Sequence, residues 1–113
     1  MFVGQTIEWN DFAKVDMRVG KITNVDDFPE ARKPAYILTI DFGPLGTRKT
    51  SAQVANYSKE ELLEREIVAV INFPPKKIGP IMSEVLVLGF PNEKNDPILI
   101  SPDLLIKNGM RLY

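Results

Sequence analysis

The sequence contains no cysteine and no histidine in its 113 residues. Without cysteine the chain cannot form disulfides, thiolate metal sites or cysteine nucleophiles. Without histidine it lacks the usual general base near neutral pH and the commonest metal ligand. Catalysis would have to use carboxylate pairs, serine–lysine arrangements or a metal held by oxygen atoms, and we expect neither a metal nor another cofactor.

Motifs typical of enzyme active sites and nucleotide sites are absent as well. The sequence has no G-x-G-x-x-G, no Walker-type loop and no G-x-S-x-G, so nothing indicates a phosphate-binding loop or a nucleophile elbow. Asp26 and Asp27 are adjacent, but neighbours on a strand point to opposite faces, which favours a polar turn over a catalytic pair. We therefore predict that the protein is not an enzyme.

Long apolar runs are missing, and no segment approaches the roughly 20 residues that span a bilayer. Residues 1–5 have neither a basic start nor a long apolar stretch, so we expect no signal peptide and a cytoplasmic location. Hydrophobic residues make up 44% of the chain and charged residues 26%, as in ordinary globular proteins. The length predicts one domain, residues 1–113.

The net charge of −1 hides a segregation of charge along the sequence. Residues 31–59 and 67–83 contain one acid, Asp41, and seven basic residues: Arg32, Lys33, Arg48, Lys49, Lys59, Lys76 and Lys77. If these residues share a face, they form a basic patch whose local field matters more than the net charge. Alternatively, they are solvated strand ends and loops.

Alternating apolar residues predict five or six short strands. In AYILTIDF, residues 35–42, the side chains of Tyr36, Leu38, Ile40 and Phe42 fall on one face. The other predicted strands cover residues 19–25, 48–54, 67–72, 84–90 and 98–100.

Two short helices complete the prediction. One covers residues 8–15, and the other begins after Ser58, which forms a capping box with Glu61 and leads to a helix ending near Glu64. A helix between the third and fourth of several closely spaced strands predicts an all-β protein, a five-stranded OB-fold barrel. An open sandwich is the alternative.

A stiff basic loop, NFPPKKIGP, follows an apolar strand at residue 72. Pro74 and Pro75 fix φ and remove two backbone donors, so the chain cannot continue as a central strand. They hold Lys76 and Lys77 on extended backbone, which limits the entropy lost when the lysines bind a ligand. The pattern predicts a preorganised basic rim.

Small β-barrels bind oligonucleotides across one face and its bordering loops. Cations stand near the predicted strand ends at Arg18, Lys21, Arg32, Lys33, Arg48, Lys49, Lys76 and Lys77. Ser51, Gln53, Asn72 and Ser83 could add hydrogen bonds to bases and 2′-hydroxyls. Alternatively, Ser51 and Gln53 are a solvent-facing strand pair, and Asn72 caps a loop.

Two segments resemble the tRNA-binding domain family. Residues 11–22, DFAKVDMRVGKI, are similar to its opening D-F-x-K-x-D-I-R-V-G. Residues 71–88, INFPPKKIGPIMSEVLVL, are similar to its N-x-x-P-[RK]-[RK] loop with the following Ser-Glu and apolar strand. Within the family the chain most resembles the CsaA type of export-related chaperones, whose patterns match residues 28–35, 41–43, 51–53 and 72–78.

The resemblance implies an OB-fold core over about residues 16–100 and flanking extensions that form a homodimer interface. It implies tRNA and unfolded or exported polypeptides as partners, without membrane insertion. The residues at the family's marked positions are Arg18, Ser51, Gln53, Asn72, Lys76, Lys77, Ser83 and Glu84. With the cations Lys33, Arg48 and Lys49, they are the predicted tRNA-binding residues.

The chain departs from the family pattern at two places. It has Val85-Leu86 where general members often have Gly-Met, and Phe73-Pro74 where tRNA binders often have Leu-Lys. Both differences favour binding of polypeptides, which needs an apolar groove. The predicted peptide-binding residues are Phe28, Tyr36, Phe73, Pro74, Ile78 and Ile81, although Tyr36 and Ile78 could instead belong to the core.

The chain ends carry apolar residues beyond the predicted barrel, at residues 2–3, 104–106 and 112–113. Such flanks are either disordered or buried against a partner. We therefore interpret the chain as a homodimeric, CsaA-like molecular chaperone that binds unfolded or exported polypeptides and tRNA, and that needs no ATP. The alternatives are a dedicated tRNA-binding protein, a synthetase-associated tRNA-binding subunit, and a structural subunit that recruits a synthetase or secretion factor.

Overall fold

The computed structural model describes residues 3–113, so Phe2 of the apolar N-terminal flank lies outside the described residues. The elements are α1 (Trp9–Ala13), β1 (Met17–Asp27), β2 (Tyr36–Asp41), a 3-10 turn (Gly43–Leu45), β3 (Thr47–Ala52), α2 (Lys59–Leu62), β4 (Glu66–Val70), β5 (Lys76–Ile78), β6 (Ile81–Ser83), β7 (Leu86–Val87), β8 (Gly89–Pro91) and β9 (Pro97–Leu99). Neither helix in this range is long and apolar enough to cross a membrane.

An antiparallel sheet of five strands, in the order β3-β2-β1-β4-β7, rolls into a nearly closed barrel. The long strand β1 pairs with β4 through its first half and with β2 through its second half, with a register shift between Ile22 and Asn24. Such a shift bends a strand and increases its twist, which lets β1 pair on both sides of the barrel. The predicted OB-fold barrel is confirmed, and the open sandwich is wrong because the five strands form one sheet around one core.

The barrel interior is filled by the residues that the alternation along β2 predicts. Leu38 and Ile40 have no exposed surface, and Phe42 is 1% exposed. β4 is buried at every position. β1 and β7 pair with its two edges, and its Ile67 and Ala69 face the core. Burying a large apolar side chain fully contributes about 1.5–3 kcal/mol, so these residues give the small barrel its own core.

Glu66, at the start of β4, is a buried acid that is 8% exposed. Its carboxylate accepts the Ile106 N–H at 3.2 and 3.4 Å, and its backbone carbonyl accepts the Ser101 hydroxyl at 2.7 Å. A buried carboxylate is tolerated when it receives such bonds. Glu66 therefore attaches the segment after β9 to the barrel, a role that its place in an acidic run of the sequence did not indicate.

The basic loop contains two strands that the sequence pattern did not predict. β5 and β6 form an antiparallel hairpin, named the basic hairpin below. Gly79 has a φ of 56° in its turn, a left-handed conformation that glycine adopts readily. The prolines and lysines hide the alternation of Ile78 and Ile81 with more exposed neighbours.

The predicted strand over residues 84–90 is divided in the structure. β7 pairs with β4 in the barrel, whereas β8 pairs with β9. The chain changes partner at Leu88, whose N–H donates to the Val68 carbonyl at 2.9 Å and whose carbonyl accepts the Ile100 N–H at 3.3 Å. A continuous apolar run carries no signal for such a change.

Helix α2 begins as the capping box predicts. The Ser58 hydroxyl accepts the Glu61 N–H at 3.1 Å, and the Glu61 carboxylate accepts the Ser58 N–H at 2.8 Å. Hydrogen bonds from the Ser58 backbone and then from its side chain lower the pKa of Glu61. The helix ends at Leu62 rather than near Glu64, because Glu64 has a φ of 66° and its N–H donates to the Ile22 carbonyl at 2.7 Å.

Gly20 provides a test of barrel packing. A Cβ at Gly20 would lie 2.6 Å from Ile40 Cγ2 and 2.7 Å from Phe42 Cε1, closer than side chains in a packed core can come. We expect Gly20→Ala to lower the free energy of unfolding by about 1–3 kcal/mol, because overpacking strains the core. Urea unfolding measures this. Gly4→Ala is the matched control, since a Cβ at Gly4 meets nothing within 4 Å; equal stability of the two variants would contradict the packing.

Candidate ligand-binding groove

The basic hairpin rests against the loop between β1 and β2. A Cβ at Gly79 would lie 3.5 Å from the Phe28 ring and 3.8 Å from Glu30 Cβ. Arg32 and Lys33 are exposed on the same loop. The fold therefore brings two of the predicted basic pairs, residues 32–33 and 76–77, into one region of the surface.

The two lysines of the basic hairpin point to opposite faces. Lys76 is paired with Ser83, and Lys77 is paired with Met82, in the antiparallel register. Because successive residues of a strand alternate between faces, Lys76 shares a face with Ser83 and Ile78, whereas Lys77 shares the other face with Met82. The sequence predicted both lysines as one rim, and the structure separates them.

The barrel closes at a seam between β3 and residues 83–85. The Lys49 carbonyl accepts the Glu84 N–H at 2.9 Å, and the Glu84 carboxylate accepts the Lys49 N–H at 3.0 Å. The Thr50 hydroxyl donates to the Val85 carbonyl at 2.6 Å and lies 2.9 Å from the Ser83 hydroxyl. The Ser83 hydroxyl also accepts the Ser51 N–H at 3.1 Å, so Ser83 and Glu84 hold the basic hairpin against β3.

A groove of about 390 Å³ opens between the basic hairpin and the seam, and it is named the hairpin groove. Its apolar wall includes Phe73 and Leu86, which are 54% and 50% exposed. Lys76 contributes a cation to the same groove. The hairpin groove combines apolar surface with the positive charge of Lys76. Such a groove suits an extended chain that carries both apolar and charged groups.

A second groove of about 680 Å³ runs along the other side of the seam, and it is named the seam groove. It lies between residues 51–56, which follow β3, and the segment that contains β7 to β9. Both grooves are lined by Ser51, Val85 and Leu86. The two grooves therefore adjoin at these residues, and together they are named the depression.

Many of the predicted ligand residues line this depression. From the predicted tRNA-binding set, the lining residues are Lys33, Ser51, Gln53, Lys76, Ser83 and Glu84. From the predicted peptide-binding set, they are Phe73, Pro74 and Ile78. Arg48, Lys49 and Lys77 lie outside the two grooves.

The groove lining offers no metal ligand set, and among residues 3–113 no cluster of three acidic side chains could hold a metal ion.

Arg18 and Asn72, two predicted tRNA-binding residues, are engaged in contacts within the chain. The Arg18 guanidinium donates to the Asp16 carboxylate at 2.6 Å and to the Gly109 carbonyl at 3.0 Å. The Asn72 amide donates to the Lys14 carbonyl at 2.6 Å, and its oxygen accepts the Asp16 N–H at 3.0 Å. These contacts match the loop-capping alternative for Asn72 and connect both chain ends to the start of the basic loop.

Three residues of the predicted peptide-binding set lie outside the grooves. Phe28 is 4% exposed, so its ring belongs to the packing beneath the basic hairpin and has no surface to offer a peptide. Tyr36 packs against the core, as the alternative held, and its hydroxyl donates to the Tyr57 carbonyl at 2.9 Å. Ile81 is half-buried opposite Ile78 in the basic hairpin.

The sequence reasoning missed Leu86, Phe90 and Thr50. Leu86 and Phe90 are exposed in the depression, yet both belong to an apolar run that reads as a buried strand. Thr50 is 1% exposed, and its pairing with Leu38 on β2 was the available signal, because a polar residue opposite a core position needs an internal hydrogen-bond partner.

Comparisons with known proteins agree with this architecture. The family model for the tRNA binding domain matches residues 17–111. The crystal structure of the CsaA chaperone protein from Picrophilus torridus is 48% identical, with a TM-score of 0.90, over 96% of this chain and 100% of that chain. Chaperone CsaA from Bacillus anthracis strain Ames is 43% identical, with the same TM-score of 0.90 and the same coverage of 96% and 100%.

Among curated sequences, the methionine–tRNA ligase of Thermococcus onnurineus is 36% identical over 106 residues. The aligned part covers 94% of this chain and 14% of the ligase. The chain therefore spans a small part of the length of the curated relatives that it matches.

The contacts of Arg18 make its role testable. Its side chain is 23% exposed, and hydrogen bonds to charged groups contribute about 1.5–3 kcal/mol. We expect Arg18→Ala to lower the free energy of unfolding by about that amount, measured by urea unfolding. Arg48→Ala is the control, because no hydrogen bond or ion pair of the Arg48 side chain is found within residues 3–113. Unchanged stability of Arg18→Ala, with tRNA binding lost, would instead assign Arg18 to the ligand.

Proposed function

The chain belongs to the tRNA binding domain family, and on this premise we propose that it is a non-catalytic binding protein that captures extended polypeptides and also binds tRNA. The polypeptide activity is that of a chaperone, as in the CsaA proteins to which the chain is similar. Capture is reversible and independent of ATP, since the sequence carries no nucleotide-binding motif. A cytoplasmic location and a part in protein export belong to the same proposal.

The observation that carries the proposal is the exposed apolar surface of the two adjoining grooves. Their walls expose large apolar side chains, with Phe73 54% exposed, Leu86 50% and Phe90 67%. Exposed apolar surface of this kind, bordered by polar residues, marks interaction sites in globular proteins. An extended polypeptide fits because it can place successive side chains along such a depression.

Binding of tRNA is assigned to the cations around the depression. Lys33 and Lys76 line it, and Lys49 and Lys77 are exposed nearby on β3 and the basic hairpin. Cations placed on several elements can follow the phosphates of a folded RNA, which supply most of the affinity in such complexes. Ser51 and Gln53 add hydrogen-bonding groups beside them.

We also propose that the protein is a homodimer whose interface is built from the flanks of the barrel core. Leu104 and Leu105 are 74% and 88% exposed, and Tyr113 is fully exposed. Trp9, in α1, is 70% exposed. Such apolar surface at both flanks is what a second copy of the chain would cover.

A dedicated tRNA-binding function, alone or as a synthetase-associated subunit, is the second candidate. The alignment with part of a methionine–tRNA ligase favours it. The two candidates share the cations and differ in the use of Phe73 and the other exposed apolar side chains.

The tRNA function predicts a strong effect of charge reversal on the basic hairpin. We expect the double variant Lys76→Glu, Lys77→Glu to weaken tRNA binding and to reduce the slope of log affinity against log salt by roughly one unit for each lost phosphate contact. Fluorescence anisotropy over a salt series measures both quantities. Lys107→Glu, an exposed lysine on the C-terminal segment, is the control. Salt-independent binding by the wild type would contradict the assignment.

The chaperone function predicts that Phe73→Asp abolishes protection of a denatured client from aggregation. The substitution places a charge in the hairpin groove, where an apolar side chain of the client would otherwise be buried. Light scattering during dilution of the client from denaturant measures protection. Leu63→Asp is the matched control, because Leu63 is 50% exposed, close to the 54% of Phe73, and lies on neither groove. Full protection by Phe73→Asp would exclude the hairpin groove as the client site.

A further inference from the structure

We propose that the free edge of β3 beyond the seam takes an extended polypeptide as an additional β-strand, held through the backbone of Gln53. The inference rests on the proposed capture of polypeptides and specifies how the polypeptide is bound. It assigns a hydrogen-bonding role to backbone groups, whereas the residues considered so far act through their side chains.

The seam shows that the β3 edge lacks a strand partner. Within residues 3–113, one backbone–backbone hydrogen bond crosses from β3 to residues 83–88, namely the Glu84 N–H to the Lys49 carbonyl. The other amides of this edge are satisfied by side chains: Lys49 N–H by the Glu84 carboxylate at 3.0 Å and Ser51 N–H by the Ser83 hydroxyl at 3.1 Å. At these two positions, hydrogen bonds to side chains take the place of the backbone hydrogen bonds of a paired strand. Ser51 is the last residue of β3 at which this occurs.

Gln53 is the next position of the same edge. β3 ends at Ala52. Because alternate residues of extended backbone direct their N–H and C=O groups to the same side, a strand continued by one residue would direct the Gln53 backbone toward the seam groove, as at Lys49 and Ser51. Gln53 lies just beyond the last pair of the β2–β3 ladder, Tyr36 with Ala52. Among the described residues, neither its backbone N–H nor its carbonyl has a hydrogen-bond partner, and the residue is exposed.

The opposite wall of the seam groove combines apolar residues with Asn95 and Asp96, and two of its residues are prolines. Pro91 and Pro97, which pair with each other in the β8–β9 hairpin, both line it, and proline has no N–H. Val87 and Phe90 provide apolar area on the same side. A strand added to β3 would direct alternate side chains onto this wall, which is how strand addition combines backbone affinity with side-chain selection.

The groups at this edge favour a polypeptide over RNA. Gln53 presents one donor and one acceptor on its backbone, and an extended polypeptide offers the complementary carbonyl and N–H at the strand repeat. An RNA backbone offers phosphate acceptors and a 2′-hydroxyl donor on each nucleotide, but its charged phosphates would lie against the apolar side chains of Val87 and Phe90. The occupant is therefore an extended polypeptide with apolar residues at alternate positions.

Alternate N-methylation of a peptide tests this mode of binding directly. The probe is a short fluorescein-labelled peptide of alternating apolar and polar residues, with two analogues N-methylated at the odd or at the even positions. A strand paired on one edge uses the amides of every second residue. We expect one analogue to lose about tenfold or more in affinity for the full chain, and the other to bind within about threefold of the parent peptide. Equal binding by both analogues and the parent would overturn the inference.

A pair of variants at Gln53 provides the protein-side test. Gln53→Pro removes the amide hydrogen, whereas Gln53→Ala removes the side chain and keeps that hydrogen. We expect peptide binding by Gln53→Pro to be about tenfold weaker than binding by Gln53→Ala, because the two variants differ in the amide hydrogen. Hydrogen exchange on the wild type is independent of how either variant folds, and the Gln53 amide should exchange more slowly when the peptide is bound.

The outcomes separate this inference from the proposed function. If the wild type binds the parent peptide while exchange at Gln53 is unchanged, the polypeptide function stands and strand addition at β3 is wrong. If the wild type binds no peptide, the polypeptide function and the inference both fail. If an oligoribonucleotide displaces the peptide and slows exchange at Gln53, the edge belongs to nucleic acid and the inference is overturned.

Discussion

The architecture depends on a barrel that closes through side-chain hydrogen bonds at one place. The buried Thr50 hydroxyl bonds to the Val85 carbonyl and contacts the Ser83 hydroxyl. Buried hydroxyls are stable only when they are hydrogen-bonded in this way. The barrel therefore closes at one defined position and over only a few residues. The two grooves lie on either side of it and share Ser51 and Leu86. The same interaction therefore completes the core and determines where the surface remains open.

The basic hairpin converts a short sequence motif into two different surfaces. Its register places Lys76 beside Ser83 in the hairpin groove and Lys77 beside Met82 on the outside. A polypeptide in the groove would meet one lysine, whereas an RNA that reaches around the hairpin would meet both. The basic hairpin therefore presents positive charge both inside the hairpin groove, beside apolar area, and on its outer face.

Local sequence patterns predicted the fold well where structure is local. The alternation along β2 and the capping box at Ser58 identified a core strand and a helix start from adjacent residues. The order of strands and helix predicted the barrel, and the family resemblance agreed with it. The types of residue at the site could be predicted from the sequence, but their positions relative to one another could not. The sequence does not reveal that Phe28, a predicted peptide-binding residue, is buried, because Gly79, which packs near its ring, is far away along the chain. The sequence does not reveal the hydrogen bond between the Arg18 guanidinium and the Gly109 carbonyl, because the two residues are far apart along the chain.

The last residues of the chain lie along the first strand of the barrel. Gly109 and Leu112 donate backbone N–H groups to the Val19 and Met17 carbonyls at 2.8 Å, and the Met110 carbonyl accepts the Val19 N–H at 3.1 Å. During synthesis, the start of β1 leaves the ribosome long before residues 109–112 are available to cover it. A nascent chain thus carries an uncovered strand edge until residues 109–112 have emerged, and such edges promote misassembly. This protein, which is proposed to bind extended polypeptides, therefore exposes an unpaired strand edge of its own during its synthesis.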